Sequence, residues 1–426
     1  MKQIPNLRWI ILALLFLATL ISYIDRHTLS VVAPELRDDL GISNTGYSYI
    51  LASFLLAYTI MQPLTGRLID LIGIRRGFSL VMVWWSAAAC LHALGNGIAT
   101  FSILRFLLGA GQAGSWAASV KAVATWFPKD QRGMANSIWG AASSAGLVLP
   151  VPLVASLTIW WGWDWAFFIT GMLGFLWTIV WWVFFRLPEE HPRITASELE
   201  LLNRGLREDA GTEKVKPPSF MTLLRWRNVW AVILARALAD PTTWFYHYWT
   251  PEFLRRSANF SMTDIGRYAW IPFLTQTVGI LLGGTLSDAL FRRGMQLTRA
   301  RLTVMLIGMI IMTAGLLAAF PFPVFIVFSG ISLATFGFGL WAPNMMSLCG
   351  EVFPKNVIGS VTGLSGMGAG LGGVAVMLAT GWMVDQFGYT PVFVTVSAMP
   401  LLAFAILYIL LTPGTQKANH QDQTHI

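Results

Sequence analysis

Long apolar runs recur along the whole of this 426-residue chain, and each extends over about twenty residues. A run of this length matches the hydrocarbon core of a bilayer, which is roughly 30 Å thick. Because no water reaches that core, the backbone must satisfy its own hydrogen bonds, as a helix does. Charged residues make up only 12% of the chain, about half the share in a soluble protein. The sequence therefore predicts an all-α, polytopic membrane protein.

Twelve spans are predicted, with boundaries that are approximate by several residues. They lie at 9–32, 46–66, 78–95, 98–126, 134–158, 164–186, 228–254, 265–290, 300–320, 323–352, 358–384 and 391–412. The first run is predicted to be a retained span, because eleven more follow it and no small-residue cleavage site is evident.

The basic residues are distributed unevenly between the two sides of the predicted membrane. Of 29 lysines and arginines, 21 lie before the first span, after the last, or in every second loop, and four lie on the opposite side. By the positive-inside rule, both termini are expected in the cytoplasm of an inner (plasma) membrane protein. The net charge of +8 is therefore explained by basic residues on the cytoplasmic side of the membrane and does not indicate a nucleic-acid partner.

A polar segment divides six spans from six. We predict an amino-terminal six-helix bundle at 1–190, a cytoplasmic linker at 191–227, and a carboxy-terminal six-helix bundle with a cytoplasmic tail at 228–426.

The two halves repeat one sequence plan. "WFPKDQRGMANSIWG" has its FPK at Phe127 and "VFPKNVIGSVTGLSG" has its FPK at Phe353, an offset of 353 − 127 = 226. The glycine of "WGW", Gly162, recurs at the same offset as Gly388 of "FGY". Direct duplication of a six-span unit is typical of transporters whose bundles rock around a midplane site, although a channel or a structural protein could share it.

Several motifs carry a family resemblance that covers essentially the whole chain. "GRLIDLIGIRR" (66–76) resembles the loop signature of the major facilitator superfamily, and "GTLSDALFRR" is a weaker copy. "YIDR", "RFLLGAGQAG", "ATWFP" and "ARALADPTTWFYHYWTPEFL" resemble the anion:cation symporter family, most of all its hexuronate and hexonate transporters. The resemblance implies the major facilitator fold, two pseudo-symmetric six-helix bundles with a central cavity, and secondary transport of a sugar acid with protons.

Asp25 and Arg26 lie late in the first apolar run, where charge is costly and usually marks a pathway. Consecutive helical residues are about 100° apart, so the two do not face each other. The alternative is that they pair with other helices only to hold the bundle together. In the resembling transporters the aspartate carries a proton and the arginine grips the substrate carboxylate. A guanidinium suits that task because it can form two parallel hydrogen bonds to a carboxylate.

Arg105 and Gln112 lie seven residues apart in the fourth span, which places them on one helix face. The resembling family usually has a glutamate at the position of Gln112, and an amide cannot carry a proton. We therefore expect Asp25 alone to carry the coupling proton, and Arg105 to act in gating or pairing.

Arg236 and Asp240 are spaced i, i+4 in the seventh span and can pair. The sequence leaves open whether they form a structural ion pair or part of a site. Pro241 is predicted to disrupt this helix and free a carbonyl.

Neutral residues are candidates for shaping a sugar pocket, since aromatic faces and amide or phenol groups suit a sugar. They are Tyr58 and Gln62 in the second span, Gln112 in the fourth, Trp244 and Tyr246 in the seventh, and Trp341 and Asn344 in the tenth. The alternative is ordinary interfacial or packing use of aromatic residues. A separate set, Asp70, Arg75, Arg76 and Asp288, is interpreted as a cytoplasmic gate latch.

The sequence shows no Walker loop, nucleophile elbow, HExxH or CxxC motif, so neither an enzyme nor ATP-driven transport is indicated. No cofactor or metal site is expected. The prediction is a monomeric importer of a small organic anion, a hexuronate or aldonate, with protons. Another carboxylate such as an aromatic acid is the first alternative, and a non-transporting membrane sensor is the second.

Overall fold

The structure is a computed structural model that describes residues 3–202, 218–354 and 356–411, with residues 129 and 130 described without their side chains. Residues 203–217 of the predicted linker and the predicted tail after residue 411 lie outside the described residues.

The helices of the first half follow the predicted spans closely. They are α1 (Leu7–Leu40), α2 (Asn44–Ile72), α3 (Ile74–Leu91), α4 (Ile98–Trp126), α5 (Lys129–Val148), α6 (Pro150–Trp161) and α7 (Trp163–Phe184). A 3₁₀ turn at His92–Leu94 extends α3, and another lies at Pro188–Glu190. The helix α1 continues beyond the end of its predicted span, at residue 32, to Leu40. It ends where Gly41 adopts a left-handed conformation, with φ of 62°.

The helices of the second half follow the same order. They are the short α8 (Phe220–Leu223), then α9 (Arg227–Ala258), α10 (Met262–Tyr268), α11 (Ile271–Arg292), α12 (Leu297–Met312), α13 (Val324–Val352), α14 (Ile358–Phe387) and α15 (Tyr389–Leu410). A 3₁₀ segment at Thr313–Ala319 extends α12, and α10 with α11 makes one span, Met262–Arg292.

The prediction of twelve spans is confirmed. The described part of the chain has nine helices that are long and apolar enough to cross a membrane, and a tenth if α5 and α6, bent by 40°, count as one span. The helices α4 and α9 have 29 and 32 residues and are also long enough at 1.5 Å per residue. They fall outside the nine because polar side chains interrupt their apolar sequence. Six of the candidate site residues lie on these two helices, among them Arg105 and Gln112 on α4 and Arg236 and Asp240 on α9.

The predicted break at Pro241 is wrong, because α9 continues through Pro241 and Pro251 without interruption. Proline still lacks an N–H, so the carbonyl of Ala237 loses its usual partner one turn earlier. A Cβ on Gly372 would lie 2.2 Å from that oxygen. Only glycine therefore lets α14 approach α9 so closely.

The chain forms two compact units. Unit 1 takes in the described residues of Met1–Ile42, Ser53–Glu213 and Phe260–Trp270, and unit 2 takes in those of Ser43–Ala52, Lys214–Asn259 and Ile271–Ile426.

The sequence repeat has a counterpart in local backbone structure. Gly162 lies between α6 and α7 with φ of 94°, and Gly388 lies between α14 and α15 with φ of 75°. Both glycines cap the helices on either side of them. A positive φ at each position favours glycine, which explains why this residue is kept in both copies of the motif.

Small residues let the helices of unit 1 pack closely around the site. A Cβ on Gly174 of α7 would lie 1.9 Å from Ser86 Oγ of α3, and a Cβ on Gly146 of α5 would lie 2.4 Å from Tyr23 Cβ of α1. Membrane helices associate through such close packing rather than through a hydrophobic driving force. The contact at Gly146 fixes Tyr23, which is a neighbour of Arg26.

The core of unit 2 has an apolar cluster and a close helix pair. Trp341 is fully buried in the cluster, which also includes Val232, Met305 and Leu348. A Cβ on Gly339 of α13 would lie 2.3 Å from the carbonyl oxygen of Gln276. This backbone approach sets the position of α11 and hence of the Gln276 side chain.

The amino terminus of α2 is capped by a carboxylate from α14, Asp385. Its Oδ1 accepts hydrogen bonds from Asn44 N–H at 3.2 Å and Asn44 Nδ2 at 2.7 Å, and its Oδ2 accepts one from Thr45 N–H at 2.7 Å. Such a cap satisfies free amides at a helix start and opposes the positive end of the helix dipole.

Asp385→Ala is expected to destabilise unit 2 by about 1–2 kcal/mol, the range typical of a lost helix cap. The measurement is the midpoint of thermal unfolding of the purified protein. Asp288→Ala removes an exposed carboxylate from α11 of the same unit and serves as the control. Equal midpoints for the two variants would show that the cap does not stabilise the fold.

Candidate functional site

Arg26 lies on α1 within a group of aromatic rings. The guanidinium carbon is 5.1 Å from the ring centre of Tyr23, 5.1 Å from that of Phe54, and 4.8 Å from that of Tyr58. Arginine stacks well on aromatic faces while its edge donors stay available to an anion. The rings therefore hold the guanidinium plane in place without using up its hydrogen-bonding capacity.

Gln112 of α4 joins this cluster through its side-chain amide. Its Oε1 accepts hydrogen bonds from Arg26 Nε–H at 3.4 Å and Nη2–H at 3.3 Å, and its Nε2 donates to the carbonyl of Ser22 at 3.1 Å. The bonds to Arg26 are long, and the acceptor is neutral. A carboxylate is a stronger acceptor for a guanidinium than an amide is, so a bound anion can compete for the same donors.

Asp25 has different surroundings from its neighbour. It is 2% exposed, and neither carboxyl oxygen has a hydrogen-bond partner among the residues the structure describes. The polar groups around it are Thr170 of α7, Trp85 of α3 and Arg105 of α4. An ionised carboxylate is costly to bury without hydrogen-bond donors, and a protonated one costs less.

Arg105 is fully buried, at 1% exposure. Its Nη1–H donates to the backbone carbonyl of Arg26 at 3.1 Å, and the guanidinium carbon lies 5.9 Å from the ring centre of Phe167. The helix α4 thus brings Arg105 and Gln112, two turns apart, against the same stretch of α1. Arg105 thus contacts the α1 backbone directly after the two charged residues.

Tyr58 and Gln62 lie one turn apart on α2. Tyr58 is partly buried and stacks on Phe54 with ring centres 5.8 Å apart, whereas Gln62 is exposed. Tyr58 therefore lies beside Arg26, whereas Gln62 is accessible at the surface of unit 1.

The gate-latch candidates are distributed over separate contacts. Asp70 Oδ1 forms an ion pair with Lys121 Nζ at 2.7 Å. Arg75 donates to the Trp182 carbonyl and stacks on the Trp182 ring at 4.6 Å. Arg76 and Asp288 are exposed. The spacing of the motif alone gave no indication of Lys121.

In unit 2, Arg236 and Asp240 form an ion pair along α9. Arg236 Nε–H and Nη2–H reach Asp240 Oδ2 at 3.0 and 2.9 Å, and Arg236 Nη1–H donates to Ser365 Oγ of α14 at 3.0 Å. Both side chains are less than one-fifth exposed. The i, i+4 spacing predicted the pair, but no sequence signal indicated Ser365.

The polar and aromatic candidates of unit 2 differ in access. Trp244 is partly buried, whereas Tyr246, Trp341 and Asn344 are 0–1% exposed. Asn344 Nδ2 donates to the Gly283 and Leu340 carbonyls, each at 2.9 Å. In this conformation these three buried residues connect helices and offer no surface to a ligand.

Two further contacts in unit 2 were not expected from the sequence. His247 is hydrogen-bonded to Gln276 Oε1 at 2.8 Å, with both residues buried. Arg301 pairs with Glu351, the last acidic residue of α13. No group of three or more His, Cys, Asp or Glu residues that could hold a metal ion is found in the described ranges.

Comparison with known proteins identifies the family. The sequence-family model of the Major Facilitator Superfamily matches residues 15–374 and 251–424 of this chain. The chain belongs to this superfamily. It is therefore a membrane transporter and not an enzyme, and the fold predicted from the sequence, twelve helices in two six-helix bundles, is confirmed.

Curated relatives extend over nearly the whole chain. The hexuronate transporter of Escherichia coli K12 is 30% identical over 414 residues, covering 96% of this chain and 95% of its own. The D-galactonate transporter of Escherichia coli O6:H1 is 28% identical over 417 residues, covering 96% of each chain. Among solved structures, the inward-open xylose transporter XylE from E. coli aligns with a TM-score of 0.73 at 16% identity, covering 96% of this chain and 98% of its own.

Proposed function

We propose that this transporter imports a sugar acid, a hexuronate or an aldonate, together with protons by alternating access. It would act as a monomer in the inner membrane, with both termini in the cytoplasm. The names of the curated relatives support the substrate class. The uneven distribution of basic residues supports the orientation.

The arrangement around Arg26 is the observation that carries this proposal. A guanidinium surrounded by three aromatic rings, and hydrogen-bonded to a neutral amide at 3.3–3.4 Å, is prepared for a stronger acceptor. A substrate carboxylate can displace Gln112 Oε1 and form two charge-assisted bonds. The released Gln112 amide then becomes available to a sugar hydroxyl.

Asp25 is the proposed proton carrier. Among the described residues of unit 1, the buried acidic side chains are Asp25 and Glu198, and Glu198 is bound outside the spans by Arg8 and by the Leu7 N–H. Asp25 thus supplies the buried carboxyl within the spans of this unit. Substrate at Arg26 and a proton at Asp25 would meet at adjacent residues of one helix.

Other candidates take supporting roles in this proposal. Tyr58, Gln62 and Gln112 of unit 1 contact the sugar. In unit 2, Trp244 stays partly accessible as a candidate, whereas Tyr246, Trp341 and Asn344 hold helices together. Arg105 and the Arg236–Asp240 pair order the interior of their units. The pair of Asp70 with Lys121, together with Arg75, Arg76 and Asp288, biases the transport conformations.

Uptake of radiolabelled substrates into proteoliposomes tests the function. We expect uptake of galacturonate or galactonate that increases when the outside is made more acidic than the inside. The three rings around Arg26 favour one alternative, an aromatic carboxylate, so labelled benzoate is included. Preference for benzoate would replace the sugar acid, and uptake indifferent to the gradient would indicate a uniporter. No uptake of any carboxylate, with protein-free liposomes as the baseline, would favour a sensor.

A further inference from the structure

A basic pocket lies at the end of α7, away from Asp25 and Arg26. Its volume is about 390 Å³, and its lining includes Arg75, Trp182, Phe184, Arg186, His191 and Arg193. The volume is within the range of small-ligand sites, roughly 300–1,000 Å³. All of these residues belong to unit 1.

The charge of the pocket is positive and little compensated. Among the described residues, no carboxylate oxygen lies within 4.0 Å of a guanidinium nitrogen of Arg75, Arg186 or Arg193, so none forms an ion pair with them. Glu190 acts on Arg75 only at longer range, and Glu198 is occupied by Arg8. Three guanidinium groups around one pocket, with no paired acid among the residues that the structure describes, favour an anion there.

Arg75 also has an unused donor. Its Nη2–H donates to the Trp182 carbonyl, and its Nε–H is buried without an acceptor in the part of the chain that the structure describes. Buried N–H groups are normally satisfied. An oxygen-rich anion in the pocket can bind this guanidinium and supply a hydrogen-bond acceptor for its Nε–H.

His191 contributes shape rather than charge. Its Nε2–H donates to the Phe184 carbonyl at 3.0 Å, and its Nδ1 accepts the Arg193 N–H at 3.2 Å. Both ring nitrogens are therefore used by the neutral form, and burial also lowers the pKa of His191 below its usual value. The positive charge of the pocket comes from its arginines and does not depend on pH in the physiological range.

The pocket adjoins an exposed apolar face. Trp182 and Val183, both in its lining, are 46% and 58% exposed, and Ile179 and Val180 on the preceding turn are 62% and 40% exposed. Tryptophan beside arginine at the end of a span is typical of the headgroup level of a membrane. A ligand that enters here has an apolar surface beside its anionic group.

We propose that this pocket binds the phosphate group of an anionic phospholipid such as phosphatidylglycerol. Arg75, Arg186 and Arg193 contact the phosphodiester oxygens, and the acyl chains follow the exposed face of α7. Guanidinium groups bind phosphate through paired hydrogen bonds, and basic pockets beside membrane helices suit anionic headgroups. A soluble phosphate would use the arginines but gain nothing from the apolar face.

Native mass spectrometry of the purified full-length protein tests the site. The protein is titrated with phosphatidylglycerol, and with phosphatidylcholine of the same acyl chains. We expect tight binding of phosphatidylglycerol, which Arg186→Gln/Arg193→Gln weakens at least tenfold. Arg292→Gln/Arg293→Gln removes the same charge from exposed positions of unit 2 and should change binding less than twofold. Arg186→Gln alone, at an exposed position, should give an intermediate loss if the double variant does not fold.

Three results would overturn the proposal. Phosphatidylcholine could bind as well as phosphatidylglycerol, or both double variants could lose binding equally. Displacement of the lipid by millimolar glycerol phosphate would assign the pocket to a soluble phosphate. Because binding is measured without transport, the result does not depend on which substrate the protein carries.

Discussion

Arg26→Lys is expected to abolish measurable uptake of sugar acid, although the positive charge is retained. Lysine is a point charge that cannot form two parallel bonds to a carboxylate, and it has no planar group to lie against the rings of Tyr23, Phe54 and Tyr58. Disrupting a buried, hydrogen-bonded charge pair costs about 2–5 kcal/mol, which is roughly a 30- to 5,000-fold loss of affinity. The measurements are substrate binding by calorimetry and initial uptake rates in proteoliposomes.

The matched control is Arg132→Lys in the same unit. Arg132 also uses its guanidinium plane, donating through Nε–H to the Phe127 carbonyl and through Nη2–H to the Ala124 carbonyl, each at 3.0 Å. It lies at the start of α5, away from Arg26. Uptake by this variant should stay within about threefold of wild type. Sugar-acid binding of wild-type strength in Arg26→Lys would remove Arg26 from the substrate site.

The fold was largely predictable because the bilayer limits what an apolar run can become. Length and apolarity suffice to place helices such as α7 and α13 within two residues of their predicted spans. Errors arose where helices continue beyond the apolar run of the sequence, as α1 does to Leu40. The uninterrupted α9 also contradicts the simple rule for proline, because tertiary contacts such as that with Gly372 hold the helix in shape.

The candidate site was predictable only where residues share a helix. The seven-residue spacing of Arg105 and Gln112 put both against α1, and the i, i+4 spacing predicted the pair of Arg236 and Asp240. Tyr23, three residues before Arg26, could have been found by the same geometry. Phe54 could not, because its contact with Arg26 depends on how α2 packs against α1.

Gln112 connects the substrate group to the question of proton coupling. Its Oε1 lies 3.3–3.4 Å from two nitrogens of Arg26. A carboxylate at this position would form an ion pair with Arg26 and would compete with the substrate. The amide leaves Arg26 more open to an anion and offers no second proton site. One proton at Asp25 for each substrate monoanion is the simplest cycle consistent with this arrangement.

Asp25→Asn is therefore expected to eliminate accumulation against a gradient while leaving exchange intact. One proton with one monoanion is electroneutral, so a gradient of about one pH unit can support up to about tenfold accumulation, equivalent to about 1.4 kcal/mol. An asparagine cannot release a proton, and its uncharged side chain can still occupy the buried position beside Arg105. Counterflow in preloaded proteoliposomes should persist, and the accumulation ratio under the pH gradient should fall to about one.

Asp39→Asn supplies the matched control on the same helix, since Asp39 is exposed near the end of α1 and accepts a hydrogen bond from Trp163 Nε1 at 2.9 Å. It should accumulate substrate as the wild type does. Accumulation near tenfold in Asp25→Asn would place the coupling proton elsewhere, whereas loss of both accumulation and counterflow would show that Asp25 is needed for substrate binding or folding. Retained exchange with lost accumulation separates proton coupling at Asp25 from anion binding at Arg26.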